Sequence, residues 1–536
     1  MKYSPQRRRE RSVIFASLIL ALLMGCQANV AVVQPEQIVE SATAVPTLQP
    51  TTEPTIQPTN QPLPTATTVP AIQPTHTPRP LTTLSVPSEW IDEAETAVAH
   101  LQNSQWQWQI TSNQQPPTNL AITPGDTGPI VYQEPLALAV PFITNWEATT
   151  LAQAQEILAN GHTLVQVKPW RELTRDWKAL RIDGRYPTDP DYPLQSSWSL
   201  VAEAGYETAV TELAPYLQDT LREKQVHVTA VGDLMLARDL GVIIERGRLA
   251  YPFAEVVHLL QAADLTIGNL ESALGTVGQP AEKSYPFEAP PAAAAALALA
   301  GFDIVSLANN HAMDYGPEAL LEGLGLLHEQ NVATIGAGAN AEAAYQPHFT
   351  EVNGLRLAFL GYVNVPVEGS TNFDVKTWTA TADAPGLAWG EPEQILADVT
   401  AVAPQADLTI VVLHSGLEYI EEPSEIQMAA AHAAIDGGAD LVIGHHTHIL
   451  QGIEFYNDGV IVYGLGNFAF DIDGPPATAV LNVWLNQNGV HQLELIPAII
   501  QETGQPRLAT PEEAAPILER VHFLTMLLNA NRIKNQ

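Results

Sequence analysis

The chain is poor in cysteine and poor in basic charge. Its one cysteine, Cys26, among 536 residues rules out an intrachain disulfide, and it leaves no thiolate for a metal site in any folded part beyond it. Lys and Arg number 24 against 59 Asp and Glu, a net charge of −35. A nucleic acid partner is excluded on that balance, because its phosphates call for Lys and Arg. An acidic surface keeps a protein soluble and draws cations near, but it does not select a fold. The apolar run Val13–Leu23 is too short for a membrane span, which takes about 20 residues. What is present in ordinary measure is apolar content, 46% of residues, enough for a sizeable core. The length suits two or three domains.

Lys2, Arg7, Arg8, Arg9 and Arg11 precede the run Val13–Leu23, the basic and apolar regions of a signal peptide over residues 1–26. The segment closes on Leu23-Met24-Gly25-Cys26, which resembles a bacterial lipobox. That resemblance implies lipidation at Cys26 and an extracytoplasmic chain anchored to the cell membrane. Residues 27–87 are Pro, Thr, Gln, Ala and Val without an apolar period, and such a stretch reads as a disordered stalk. A small α/β accessory domain is expected over 88–225. In it "SEWIDEAETAVAHLQ" reads as a Ser-capped helix and "PLALAVPF" as a strand. "LRIDG" followed by "DYPLQSSWSLVA" resembles one lobe of a phosphate-type periplasmic binding protein; the alternative is a spacer.

From Val226 onward, apolar strands alternate with helices: "HVTAVGDLML", "DLTIGNLES", "DIVSLANNH", "LRLAFLGYV", "DLTIVVLHSG", "DLVIGHHTH". Near-continuous apolar strands predict buried parallel strands with helices on both faces. "IEFYNDGVIVYG" and "ATAVLNVWLNQNGVHQLELIP" read as hairpins of an added sheet, and residues 501–536 as a C-terminal helical extension.

The strands end in polar residues: Asp233, Asn269 and Glu271, Asn309, Asn310 and His311, His414, then His446 and His448. In an open parallel sheet the carboxyl ends line one edge, where ligands bind. Carboxylates, an amide and imidazoles make a mixed oxygen and nitrogen donor set, suited to divalent Mn, Fe, Zn or Co rather than Ca. In an extended His446-Thr447-His448 the two imidazoles share a face, and His445 is expected to point away and to be replaceable. "LGNF" is expected to bring Asn467 back to the rim.

Taken in order, "AVGDLMLAR", "IGNLES", "SLANNHAMDYG", "LHSGLEY", "IGHHTHILQGIE" and "VYGLGNF" resemble the bacterial CapA family, poly-gamma-glutamate capsule biosynthesis proteins, over about Val226–Ile500. The resemblance implies a calcineurin-like metallophosphoesterase domain, an α/β sandwich, over residues 226–500. It further implies one or two divalent ions (Mn, Fe or Zn) held by Asp233, Glu271, Asn310, His414, His446 and His448. His311 would be the proton donor, and Arg238 would pair with a phosphate or carboxylate. Asp314 and Glu418 would orient imidazoles. His432, inside a helix, reads as a packed histidine or one that orients a neighbour, rather than a ligand. Two departures from the family pattern bear on the site: Met235 stands where a ligand histidine is usual, and Ser415 where Trp is common. The implied role is capsule synthesis or export, with hydrolase or transferase chemistry on an anionic polymer or phosphoester alongside membrane proteins of capsule synthesis. The alternatives are a non-catalytic export or scaffolding lipoprotein, and ligand sensing by residues 88–224.

Overall fold

The structure is a computed structural model that describes residues 79–112, 118–368, 371–471 and 474–530. The expected signal peptide, Cys26 and most of the expected stalk lie outside those residues. Leu81–Val86, read above as the end of the stalk, is instead a strand, and Leu84 and Val86 are fully buried on its inner face. Two apolar residues two apart, with β-branched threonines beside them, outweigh the stalk-like composition around them. The expected Ser88 cap is also absent. Ser88–Trp90 is a short 3-10 turn, and the helix Ile91–Ala99 starts behind Trp90 without a side-chain cap.

A strand apolar on both faces must be covered on both, and here the two covers differ. Parallel strands Ala333–Ile335, Ile304–Ser306, Leu265–Leu270 and Gln225–Leu234 form the first sheet. Parallel strands Leu355–Asn364, Leu408–Ser415, Leu441–His445 and Gly459–Val462 form the second. Val228, Ile267, Phe359, Ile410, Val412, Ile443, Leu481 and Val483 fill the space between the sheets. Helices Arg238–Glu245, Ala292–Ala300 and Gly316–Glu329 cover only the outer face of the first sheet. Helices Pro392–Val402 and Glu425–Asp436 cover that of the second. The chain is thus an α/β sandwich with layers helix, sheet, sheet, helix. The expectation of helices on both faces of one parallel sheet is corrected, because an apolar strand reads the same whether a helix or a second sheet covers it. The hairpin Ala477–Asn486 and Gly489–Ile500 does not start a further sheet either; it extends the first, antiparallel to Gln225–Leu234.

Local signals place the ends of several elements. Ser424 and Gln427 form a capping box on Glu425–Asp436, as Thr510 and Glu513 do on Pro511–Leu528. Two glycines are needed for close approach. A Cβ on Gly232 would lie 2.0 Å from the carbonyl oxygen of Gly466, and one on Gly444 2.0 Å from that of Tyr463. These contacts seat the returning segment 463–467 against strands Gln225–Leu234 and Leu441–His445, one residue before Asp233 and His445.

The N-terminal part has a seven-stranded sheet covered by helices Ile91–Ala99 and Glu207–Thr220. It packs on the sandwich through aromatic rings. Tyr186 stacks on Trp484 at 4.4 Å, His227 stacks on the same indole at 4.6 Å, and Trp170 meets His491 at 4.9 Å. Arg181 adds a two-pronged bond to Glu494, at 2.5 and 2.7 Å. His491 Nε2 also bonds the Trp170 carbonyl at 3.0 Å, and His522 Nδ1 bonds Asn145 Oδ1 at 2.7 Å.

Burial lowers the pKa of these two imidazoles. His491 falls to about 4 although its bond to Trp170 opposes the shift, and His522 falls to about 3 with a further push from the Lys178 charge. An unfolded histidine binds a proton near pH 6.5. Their contribution to stability is therefore complete above that pH and is lost as pH falls toward 4 and below. Thermal melts at pH 7 and pH 4.5 should show a smaller acid loss for His491→Gln and His522→Gln than for the wild-type chain. Equal losses would refute the assignment.

Candidate metal centre

The parallel strands of both sheets end at the same edge of the sandwich, and their registers align the polar ends. In the first sheet Asp233 is level with both Asn269 and Asn467; in the second His414 is level with His445. Asp233, Asn269, Glu271, Asn309 and His414 are fully buried, and Asn310, His446 and His448 are nearly so.

Asp233 is the most heavily bonded of them. Its Oδ1 accepts from Asn269 Nδ2 at 2.9 Å and lies 3.0 Å from His445 Nδ1. Its Oδ2 accepts from the His446 N–H at 3.4 Å and lies 3.4 Å from His448 Nδ1. Burial alone would raise this carboxyl, but the bonds from His445 and His448 outweigh it and hold Asp233 well below the usual range. Glu271 moves the opposite way. Burial, and then the adjacent Asp233 charge, push it well above the ordinary carboxylate value.

Neither oxygen of Glu271 has a hydrogen-bond partner, and His446 Nδ1 has none. His414 Nε2 lies 3.7 Å from Glu271 Oε1, and His448 Nε2 3.9 Å from it. A buried carboxylate left without a donor is costly, and a cation removes that cost. Donor atoms of Glu271, His414 and His446 lie within 4.8 Å of one another, as do those of Asp233, Glu271 and His448. His414 Nε2 is also 2.8 Å from Asn310 Oδ1. Burial and the neighbouring His446 hold His414 well below its ordinary value, and burial with the His448 charge brings His446 to about 3. Both imidazoles are thus neutral at pH 7, the form that binds metal. The residues present fit a divalent cation of the oxygen and nitrogen class.

The structure corrects the reading of the histidine run. The strand ends at His445, and His446 and His448 sit in the following turn with φ of +87° and +58°. Such left-handed backbone costs about 1–3 kcal/mol per residue and is tolerated where the surroundings demand it. Both imidazoles reach the site, but by a turn rather than by strand alternation. His445 does not point away, since its ring bonds Asp233 directly.

Around the donors stands a layer of orienting contacts. Asn467 Oδ1 is 2.9 Å from His448 Nδ1, and Asp314 Oδ2 is 2.6 Å from His311 Nδ1. Asn309 Nδ2 donates to Asn269 Oδ1 at 3.0 Å, and Asn309 Oδ1 accepts the His311 N–H at 3.0 Å. Lys283, not singled out from the sequence, is buried here. Its ammonium bonds the Asn310 carbonyl and, at 2.9 Å, Asp314, and it is ion-paired with Glu368 at 3.0 Å. A lysine in "EKSYPF" carries no local sign of burial, because its partners lie in other segments. Met235 packs with Phe287 and Phe470 in a small apolar cluster. Arg238 is exposed, with its guanidinium 4.7 Å over Phe287, whose ring is 4.5 Å from His311. Glu418 makes no hydrogen bond to an imidazole among the described residues. His432 bonds Glu454 at 2.9 Å, in a contact separate from these donors. A cavity of about 290 Å³ opens over the cluster, lined among others by Asn310, His311, Glu418 and His446.

The family described as "Bacterial capsule synthesis protein PGA_cap" matches residues 227–472, which include every donor named above. "Capsule biosynthesis protein CapA" of Bacillus anthracis is 34% identical over 298 residues, 54% of this chain and 70% of that protein. "PGA biosynthesis protein CapA" of Bacillus subtilis (strain 168) is 32% identical over 289 residues, 53% of this chain and 74% of that protein. Among solved structures, a hypothetical protein from Thermus thermophilus aligns at a TM-score of 0.34 and 16% identity, over 51% of this chain and 98% of that one, too distant to carry an argument. With its motifs, its strand-end cluster and two relatives above 30% identity covered over more than two thirds of their length, the chain belongs to the CapA family of bacterial capsule synthesis proteins.

Proposed function

We propose that this chain acts in the synthesis or export of a poly-gamma-glutamate-type capsule, as a metal-dependent hydrolase or transferase. The names of its relatives support the capsule role. The chemistry rests on one observation above the rest: the fully buried carboxylate of Glu271, which has no hydrogen-bond partner and faces His414 and His448. We place the chain outside the cytoplasm, lipid-anchored through Cys26, where a capsular polymer and the membrane proteins of its synthesis meet it. No helix among the described residues is long and apolar enough to cross a membrane.

Asp233, Glu271, Asn310, His414, His446 and His448 would hold one or two divalent ions. A bound ion supplies Lewis-acid polarisation of a phosphoryl or carbonyl oxygen and activates water near neutral pH. His311 lines the cavity, with Nδ1 committed to Asp314, so Nε2 remains for proton transfer. Burial, with the Lys283 charge, outweighs Asp314 and lowers its pKa, so the resting imidazole is neutral. In that state Nε2 accepts a proton; to donate one to a leaving oxygen it must first be charged, as an anionic substrate beside it favours. Arg238, braced on Phe287, supplies a guanidinium for a phosphate or carboxylate. The acidic surface repels a polyanion, so the cations are what reconcile a net charge of −35 with such a substrate.

Elemental analysis of the purified chain should find stoichiometric Mn, Fe or Zn, lost in Asp233→Ala and His446→Ala. The idea fails if the wild type binds no metal and Asp233→Ala behaves like it. His445→Ala should weaken metal binding about 10–100-fold, the range for groups that hold a ligand in place; unchanged affinity would restore the sequence expectation that His445 is replaceable. Bis-p-nitrophenyl phosphate and a γ-glutamyl amide are the substrates to assay. His311→Asn should retain metal while turnover falls about 10²–10⁴-fold, and unaltered turnover would remove His311 from the reaction.

A further inference from the structure

Most of the cavity lining comes from three segments: Ser284 with Tyr285, Asn310 with His311, and residues 365–368. The first two lie beyond strand ends of the first sheet, and the third follows strand Leu355–Asn364 of the second. One buried ammonium reaches all three. Lys283 directly precedes Ser284, and its side chain is 1% exposed. Its Nζ donates to the Asn310 carbonyl and, at 2.9 Å, to Asp314 Oδ1, and it is ion-paired with Glu368 Oε1 at 3.0 Å. Three oxygens from two other segments thus match a group with three N–H donors. The rings of Phe373 and Trp378 stand 5.7 and 5.2 Å from the same nitrogen.

Asp314 carries the connection one step further. Its other oxygen, Oδ2, is 2.6 Å from His311 Nδ1 and accepts the Phe287 N–H at 2.7 Å. Stability alone does not account for a charge at this place, because apolar residues of similar volume often replace a buried ion pair at no cost. An apolar side chain cannot, however, hold oxygens of separate segments in fixed directions. Charge-assisted bonds do that.

We propose that Lys283 is a positioning residue for the reaction: through Asp314 it fixes the His311 ring, and through Glu368 it fixes the opposite wall, so that substrate is held between the two. This inference rests on the enzymatic reading above. The two arms separate by function. The Asp314 arm bears on the group that moves a proton, and the Glu368 arm bears on the wall, 365–368, against which substrate seats.

The test compares the purified, metal-loaded full chain with Glu368→Ala and Lys283→Met, on bis-p-nitrophenyl phosphate and the γ-glutamyl amide. The Glu368 side chain is 21% exposed, so Glu368→Ala should melt with the wild type and keep its metal. It frees only the wall, and KM should rise at least about 10-fold while kcat stays within about 3-fold. Lys283→Met frees Asp314 as well, and kcat should also fall about 100-fold, the cost of a misplacement near 1 Å. Should Lys283→Met fail to fold, Lys283→Arg takes its place: it keeps the charge, but its planar fork cannot meet the same three oxygens, so KM and kcat should still move. A tie that served stability alone would leave KM unaltered in any variant that melts with the wild type. Wild-type KM in Glu368→Ala, or loss of its metal, would therefore overturn the inference and leave the metal centre standing. A wild type without turnover on either substrate would overturn the enzymatic reading and this inference with it.

Discussion

Two carboxylates buried side by side set the terms for the rest of the site. Asp233 and Glu271 have oxygens within 4.8 Å of each other and no exposure to solvent. Two negative charges at that spacing repel by about 3 kcal/mol at an effective dielectric near ~20, before either loses its hydration. The fold resolves this unevenly. It surrounds Asp233 with Asn269, His445 and His448 and leaves Glu271 without a hydrogen-bond partner. A divalent cation would satisfy both at once, and the unequal treatment of the pair is the feature of this edge that fits one.

Holding that many polar groups in a dry place needs a rigid frame. The two parallel sheets provide it by packing face to face, so that strand ends from both converge within one cluster. Asp233 and Glu271 come from one sheet, His414 and His445 from the other. The returning segment 463–467 closes the cluster from the side, and it can do so only because Gly232 and Gly444 carry no Cβ. Strain is placed where these constraints meet, at the positive φ of His446 and His448. The N-terminal part is braced to the same sandwich through Trp484 and the Arg181–Glu494 pair. That contact makes it a fixed neighbour of the sandwich, whatever its own role.

The order and chemistry of the strand ends were legible in the sequence, because an apolar strand followed by a polar residue is a local pattern. Asn310 and His311, His414, and His446 with His448 could be selected that way, and so could the oxygen and nitrogen character of the donor set. The division of the strands between two sheets was not legible, since burial on both faces leaves the same apolar run in either arrangement. The strand Leu81–Val86 was hidden by the composition around it.

What the sequence determined by itself is the donor chemistry and its order along the chain, because residue identity and spacing are local properties. The tertiary structure alone decided which atoms meet. It turned His445 onto Asp233, where strand alternation would have sent it away, because the strand stops there and the chain bends left-handed at His446. It buried Lys283 against Asn310, Asp314 and Glu368, contacts that span separate segments. It also set Glu418 beside two imidazoles some thirty residues away in sequence, through loops tied by one backbone bond. Contacts of this kind depend on how two sheets face each other, and no stretch of sequence carries that information on its own.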